Sequence, residues 1–512
     1  MHNLSLSSDR PIQSSSPNNT ASVSSSTHPK PLHPEWDRVL ATFRQIWGYD
    51  NFRSPQGEIV RCLLSQRDAL IIMPTGGGKS VCFQLPALMQ DGLTLVVSPL
   101  VALMENQVQE LRQLGLPAAS LHSERPIQER RRTLQQLERQ QLRLLYLSPE
   151  TLLSPPVWQR LSHPDLKIRG LILDEAHCLV QWGDTFRPAY RRLGAVRSAL
   201  LASKPAGTQM AIAAFTATAD PQAQQMIQSV LQLQNPEKFL LNPYRSNLQL
   251  NVQTVWTPKG RRRQVLKTIQ AHRQQAGLVY VRSRRDSEML AEWLGQRGYT
   301  TAAYHAGLSP GERRQIEGQW LGNTMQFVVC TSAFGMGINH PHVRWVVHYH
   351  VPLLLAEYVQ EVGRAGRDGK PALALSLVSE PTGWFDPDDQ QRQAFFQNKL
   401  RSQQQKALQL SSKLPKEGSV EDLTRQFPNG AIALAVLHRL GRLEWTDPFH
   451  YRLLSRTSVQ SPAQTSTQDT AAKEMTHYLR TSRCRWAFLL AAFGFHKDAR
   501  GLRCGQCDRC HK

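Results

Sequence analysis

The residues best suited to chemistry begin with Pro74-Thr75-Gly76-Gly77-Gly78-Lys79-Ser80, which follows the apolar run Ala69–Met73 and opens a helical stretch. Backbone N–H groups of a glycine loop at a helix N-terminus can converge on phosphate oxygens, and the helix dipole favours their charge. Lys79 would reach the β- and γ-phosphates of a nucleotide and Ser80 would help hold magnesium. The strict pattern has a glycine where this chain has Met73, so taken alone the segment also fits a plain glycine turn.

Asp174-Glu175-Ala176-His177 argues against the plain turn. The apolar run Ile168–Leu173 would deliver these acids to the carboxyl edge of a sheet, where ligands bind in parallel α/β architectures. Asp174 can hold magnesium through water, and Glu175 can orient and deprotonate an attacking water while the metal neutralises developing phosphate charge. An acidic helix cap would need neither the strand nor the upstream loop nor His177. Together the two segments read as an ATP-hydrolysing site.

A third constellation closes the chain. Cys504, Cys507 and Cys510 lie at turn spacing, with Cys484 upstream. Four thiolates can complete a tetrahedral structural zinc site with no position left open for catalysis. A reactive redox pair is the other reading, and His496 and His511 are nearby alternative ligands. Cys62, Cys82, Cys178 and Cys330 sit in apolar or motif contexts and read as buried thiols.

These groups need a scaffold. The 512 residues allow about three domains. Short apolar runs alternate with helical stretches from Pro34 to Val378: Ala69–Met73, Leu93–Val97, Ile168–Leu173, Met210–Phe215, then Gly277–Val281, Gln326–Cys330, Val343–Val347 and Ala372–Val378. Runs apolar on both faces and separated by helices mark parallel sheets. Two sets of them predict an α/β protein of two tandem doubly wound parallel-sheet domains, over 36–244 and 245–380. Residues 1–35, rich in Ser, Asn, Thr and Pro, read as a disordered tail. An accessory insertion is expected over 381–470 and a helical four-cysteine module over 471–512.

Lys and Arg number 61 against 40 Asp and Glu, a net +21. Such a surplus points to a polyanionic partner, since phosphate contacts release counterions, although charge also serves solubility alone. No run reaches the ~18 apolar residues that span a bilayer. The Ser-rich start carries no apolar signal segment, so the expected setting is a reducing cytoplasm, in association with the nucleoid.

From Trp47 to Gly369 the motifs, in unbroken order, resemble the superfamily 2 helicases, and the RecQ family of DNA helicases in particular. Trp47-Gly48-Tyr49-Asp50-Asn51-Phe52-Arg53-Ser54-Pro55-Gln56 looks like that family's adenine-recognition motif. There Gln56 would bond the adenine edge, while Tyr49 and Arg53 stack on or contact the base. Ser98-Pro99-Leu100 and Leu147-Ser148-Pro149-Glu150 match segments that touch the DNA backbone. Phe215-Thr216-Ala217-Thr218-Ala219 matches the motif that couples hydrolysis to strand movement. Gln181-Trp182-Gly183-Asp184-Thr185-Phe186-Arg187-Pro188 resembles the aromatic-rich loop that senses single-stranded DNA. Trp182 and Phe186 can stack on bases, each stack being worth ~1–3 kcal/mol, and Arg187 can meet phosphate. Gln360 to Gly369 matches the arginine-finger motif, with Arg364 and Arg367 as equal candidates. Cys484-Arg485-Trp486 and Phe493-Gly494 look like the RecQ zinc module.

The resemblance implies that the two parallel-sheet domains are RecA-like and that the chain is an ATP-, magnesium- and zinc-containing 3′ to 5′ DNA helicase of recombination and repair. Its partners would be single-stranded, branched or forked DNA, with single-strand-binding and recombination proteins beside them. An ATP-switched DNA-binding or annealing factor with weak unwinding is the alternative. His340 and His350 stand where the family usually has Lys and Asp, which puts the coupling network in question. Within the insertion, Val420–Phe427, Asn429–Leu440, Arg442–Trp445 and Tyr451–Leu454 follow the helix–helix–hairpin order of a winged-helix unit. Such a unit would grip duplex DNA. Its sparse basic charge fits packing or protein contact as well.

Overall fold

The computed structural model describes residues 34–74, 76–181, 187–334, 340–454 and 467–511. The tail, the 455–466 linker, Thr75, Trp182, Phe186 and the Gly335–Asn339 part of one helicase motif lie outside the described residues. The chain divides into two compact units, one ending at Asn51 and one beginning at Phe52. The domain expected over 36–244 therefore contains a division, and the adenine motif is shared between the units.

In the first unit the helix Pro34–Trp47 carries Glu35 and Asp37 in its first turn and Arg44 in its last, matching the helix dipole. Gly48, at φ 73°, ends it by donating its N–H to Arg44 O at 2.8 Å. This helix begins inside the span expected to be tail.

The second unit holds two parallel sheets. The first is built from β1 (Ala69–Ile72), β2 (Leu93–Val97), β3 (Ala118–Leu121), β4 (Leu144–Leu147), β5 (Ile168–Leu173), β6 (Ala211–Thr216) and β7 (Glu237–Leu240). Their order is β3-β4-β2-β5-β6-β1-β7. The second contains β8 (Leu248–Val255), β9 (Gly277–Tyr280), β10 (Thr301–Tyr304), β11 (Phe327–Cys330), β12 (Trp345–His348) and β13 (Ala372–Ser379), in the order β10-β11-β9-β12-β13-β8. Each sheet has a core on both faces: Leu70 and Ile72 enter one cluster while Ala69 and Ile71 enter the other. That two-sided burial is why the strands read as continuous apolar runs rather than alternating ones.

The insertion contains the helix Asp388–Ser411, β14 (Glu417–Ser419), the helices Val420–Gln426 and Gly430–Arg439, then β15 (Leu443–Trp445) and β16 (His450–Leu453). Its strands form an antiparallel sheet in the order β14-β16-β15. The helix–helix–hairpin order matches the sequence pattern, and the leading helix covers the Gln-rich stretch Gln390–Gln409 that reads as helical; the first strand, β14, is what the sequence pattern did not reveal. The helix Gly430–Arg439 packs against the long helix and against Pro188–Ala195 of the first sheet's domain. The tip of the hairpin faces the same way: Phe449 meets Trp158 edge to face at 5.1 Å, and Arg192 donates to Pro448 O at 3.2 Å.

Two expected boundaries move. Arg261, buried under the second sheet's domain, donates to Asp386 and Asp389, and Ser379 N donates to Asp389 at 2.7 Å. The segment up to Asp389 is thus tied to the second sheet's domain by buried hydrogen bonds. At the other end, the helix Thr467–Arg480 runs through the expected 470/471 boundary.

Candidate nucleotide site and zinc centre

The glycine loop is held by its own neighbours. Gln56 accepts from Arg53 N at 2.9 Å and donates to Gly77 O at 2.9 Å, so both ends of its amide are engaged within the motif. Gly78 sits at φ 77°, and a Cβ there would run into the Gln56 amide, so only glycine fits. Met73, where the strict motif has glycine, is buried and extends the sheet by donating its N–H to Thr216 O at 2.9 Å. The helix Lys79–Met89 starts directly after Gly78.

The Lys79 ammonium is buried, has no hydrogen-bond partner among the described residues, and lies 4.0 Å from Glu175 Oε1. A buried cation at the N-terminus of the helix Lys79–Met89 is what a phosphate requires, and the residues present fit a nucleotide triphosphate. Ser80 follows on the same helix, and Asp174, directly after β5, lies in electrostatic range of Lys79; these are the groups able to hold a divalent cation. Burial, with Glu175 next, pushes Asp174 up to about 6. Burial also opposes the charge on Glu175, but Lys79 and His177 outweigh it and hold that carboxyl down at about 2. Glu175 adopts φ 53°, which turns its side chain away from the strand direction.

His177 links this acid to the coupling motif. Its Nδ1 lies 3.1 Å from Glu175 Oε2 and 3.2 Å from Thr216 Oγ1, and Thr216 Oγ1 donates to Thr218 O at 3.2 Å. From the second sheet, Arg364 and Arg367 both stand in electrostatic range of Glu175. Arg364 is the more buried of the two.

One group that the sequence reading missed positions this arginine segment. Arg282, directly after β9, donates to Glu361 at 2.6 Å and to Glu357 at 3.2 Å, and His348 Nε2 approaches Glu361 at 2.9 Å. The signal was an arginine closing an apolar strand at a carboxyl edge. The two departures from the family pattern sit in packing. The His340 ring lies 4.5 Å from Trp320, and His350 Nε2 lies 3.1 Å from Asp388. Burial lowers the proton affinity of both.

Along the expected DNA face, Arg187 donates to Glu150 at 2.6 Å, joining the end of the aromatic-rich loop to the Ser148–Glu150 motif. Tyr49, in the first unit, is more than half exposed.

The ligand sulfurs of Cys484, Cys504, Cys507 and Cys510 all lie within 4.8 Å of one another. Zn–S bonds of about 2.3 Å in a tetrahedron put sulfurs about 3.8 Å apart. The 507–510, 504–510 and 484–507 separations of 3.5, 3.9 and 4.0 Å fit that ion. Arg485 clasps the cluster by a two-pronged pair with Asp508 at 2.8 and 2.9 Å. Trp486 Nε1 donates to Leu248 O at 3.1 Å, so the module shares the second sheet's core. The other four cysteines are buried, and burial pushes Cys62 and Cys82 up to about 12. No helix among the described residues is long and apolar enough to cross a membrane.

Residues 53–227 match the DEAD/DEAH box helicase family, 260–369 the helicase conserved C-terminal domain, and 447–511 the RecQ zinc-binding family. The chain is 53% identical over 467 residues to the ATP-dependent DNA helicase RecQ of Synechocystis sp., covering 91% of this chain and 97% of that one. It is 38% identical over 372 residues to the enzyme of the same name from Haemophilus influenzae, spanning 71% of this chain and 58% of the relative. Among solved structures, S. cerevisiae Dbp5 bound to RNA and ADP BeF3 aligns with TM-score 0.53 at 16% identity, over 69% of this chain and 89% of that one. Mycobacterium smegmatis helicase Lhr bound to ssDNA and AMP-PNP aligns with TM-score 0.53 at 18% identity, over 85% and 61%. At these identities the structural likeness is one of fold. With helicase and RecQ zinc-binding matches along its length and a relative of nearly equal span at 53% identity, the chain belongs to the RecQ family of ATP-dependent DNA helicases.

Proposed function

We propose that the chain moves 3′ to 5′ along one DNA strand, driven by magnesium-dependent ATP hydrolysis, and opens branched or forked duplexes in recombination and repair. The observation that supports this reading most is the buried Lys79 ammonium, without a hydrogen-bond partner among the described residues, beside Glu175, with Arg364 and Arg367 of the second motor domain in electrostatic range of the same carboxylate.

In this reading Tyr49, Arg53 and Gln56 take the adenine, the Gln56 amide exchanging its internal partners for the base edge. Thr75, Gly76, Gly77, Gly78, Lys79 and Ser80 cradle the phosphates. Ser80 and Asp174 hold magnesium, which when bound neutralises phosphate charge. Glu175, kept ionised by Lys79 and His177, takes the proton of the attacking water. Arg364 or Arg367 stabilises charge on the transferring phosphoryl group. Thr216 and Thr218 relay the nucleotide state, and Trp182, Phe186 and Arg187 register the strand. The four cysteines hold zinc, which serves the fold.

A strand-displacement assay on 3′-tailed, 5′-tailed and RNA duplexes tests this directly. Unwinding of the 3′-tailed DNA alone is the expected result. ATP hydrolysis with annealing and no displacement would replace the helicase reading with that of a switched DNA-binding factor.

A further inference from the structure

We propose that Trp256, Trp384 and Phe385 form a second base-stacking platform for single-stranded DNA, on the outer edge of the second motor domain. The inference rests on the proposed DNA-translocating function and extends it to a strand contact outside the helicase motifs.

Parallel strands β8 and β13 end side by side, Val255 opposite Ser379. The chain leaves them as Trp256 and as the turn 380–387, at the same carboxyl edge that carries Arg282 after β9 and His305 after β10. Trp256, Trp384 and Phe385 are 60%, 88% and 63% exposed. Trp256 and Phe385 stand 6.3 Å apart between ring centroids with their planes inclined by 59°.

Large rings in water are normally mobile, but these are mounted on buried polar anchors. The Glu380 carboxylate accepts from Thr382 N at 2.6 Å and Phe385 N at 3.1 Å, fixing the turn that holds up Trp384. Arg261 ties the helix after Trp256 to the same segment, donating to Ser379 Oγ at 2.7 Å and Asp386 at 2.9 Å. Thr257 caps that helix by accepting from Gly260 N at 3.0 Å. Rings fixed before binding lose little entropy when a ligand arrives.

The charge around the rings selects the ligand. Lys259 and Arg263 are exposed in the first turns of the helix Pro258–Ala271, which begins two residues after Trp256, while Arg262 between them is engaged over the Trp293 ring. The acids of the facing segment are turned inward: Glu380 to its turn, Asp386 and Asp389 to Arg261, and Asp388 to His350 and Arg392. Exposed rings beside outward cations and neutralised acids suit a polyanion with flat bases, stacked on the rings with phosphates on the cations.

The test is binding of fluorescein-labelled oligodeoxythymidylates of about eight and about thirty nucleotides, lengths chosen to fall inside and beyond one strand-binding groove. Trp256→Ala with Trp384→Ala is compared with Trp256→Phe, and thermal unfolding verifies the fold of each. The double variant is expected to bind the long strand about tenfold more weakly, the equivalent of one lost stack, and the short strand as wild type does. Trp256→Phe should retain most of the affinity. An abasic strand of the long length should not distinguish the double variant from wild type. Equal affinity of variant and wild type for both thymidylate lengths would overturn the platform and leave the rings as a protein-docking face. Wild-type protein that binds neither strand would instead sink the DNA-translocating function, and the platform with it.

Discussion

The Thr218 hydroxyl donates a hydrogen bond to the Ala356 carbonyl at 3.3 Å, crossing from the end of the first sheet to the helix Leu355–Val362 of the second. That helix leads straight into Arg364. With the His177–Glu175 ion pair and the Thr216 hydroxyl it completes a polar path from Glu175 to the arginine segment. Thr218→Val should keep ATP affinity and lower base pairs opened per ATP hydrolysed by about fivefold, the value of one bond of ~1 kcal/mol. Equal losses in hydrolysis and unwinding, measured on the same preparation, would remove Thr218 from the coupling path.

Lys79→Ala should lower DNA-stimulated ATP hydrolysis by a factor on the order of 10²–10³ or more and leave thermal stability near wild type, because it removes an unsatisfied buried cation. Glu175→Gln should bind a fluorescent ATP analogue normally and fail to turn over. Near wild-type hydrolysis by either variant would disprove the site.

Cys507→Ser should abolish one equivalent of zinc, read by elemental analysis of native protein. It should also lower ATP hydrolysis, because Tyr478 of the adjoining helix donates to Tyr358 of the helix preceding the arginine segment at 2.9 Å. Full hydrolysis in zinc-free protein would show that the module is uncoupled from the motor.

His438 lies where the insertion meets the first motor domain, and burial, with Arg191 adding to it, holds it down at about 3. The unfolded chain binds this proton near 6.5. Between those values the unfolded state carries more protons, so docking of the insertion is fully stable above pH 6.5 and weakens as pH falls toward 3. Limited proteolysis across that range should show the loss, and His438→Phe should flatten it. Phe449→Ala, which removes the contact with Trp158, should cost roughly 1–2 kcal/mol of docking at every pH.

Trp182→Ala should reduce DNA stimulation of ATP hydrolysis far more than DNA affinity, since backbone contacts elsewhere carry most of the binding. Equal losses would make Trp182 a simple binding residue, and a drop in thermal stability would make it part of the core.

The sequence by itself determined the two parallel sheets, the phosphate loop, the acidic motif and the four thiols. Each is encoded locally: buried strands read as unbroken apolar runs, a glycine loop needs glycines at fixed spacing, and zinc needs sulfurs at turn spacing. β3, β4, β7, β8 and β10 escaped notice because they are short or carry polar residues on one side.

Only the tertiary structure decided which distant groups meet. Nothing local announces that Gln56 spends its amide on Gly77, that Arg282 holds Glu361, or that Trp486 caps Leu248. The insertion shows the limit most clearly. Its helix–helix–hairpin order was legible, but not that the helix Gly430–Arg439 and the hairpin tip lie against the first motor domain. An apolar stripe at helical spacing says that a face will be buried and is silent about its partner, because that choice depends on shapes brought together by the whole chain.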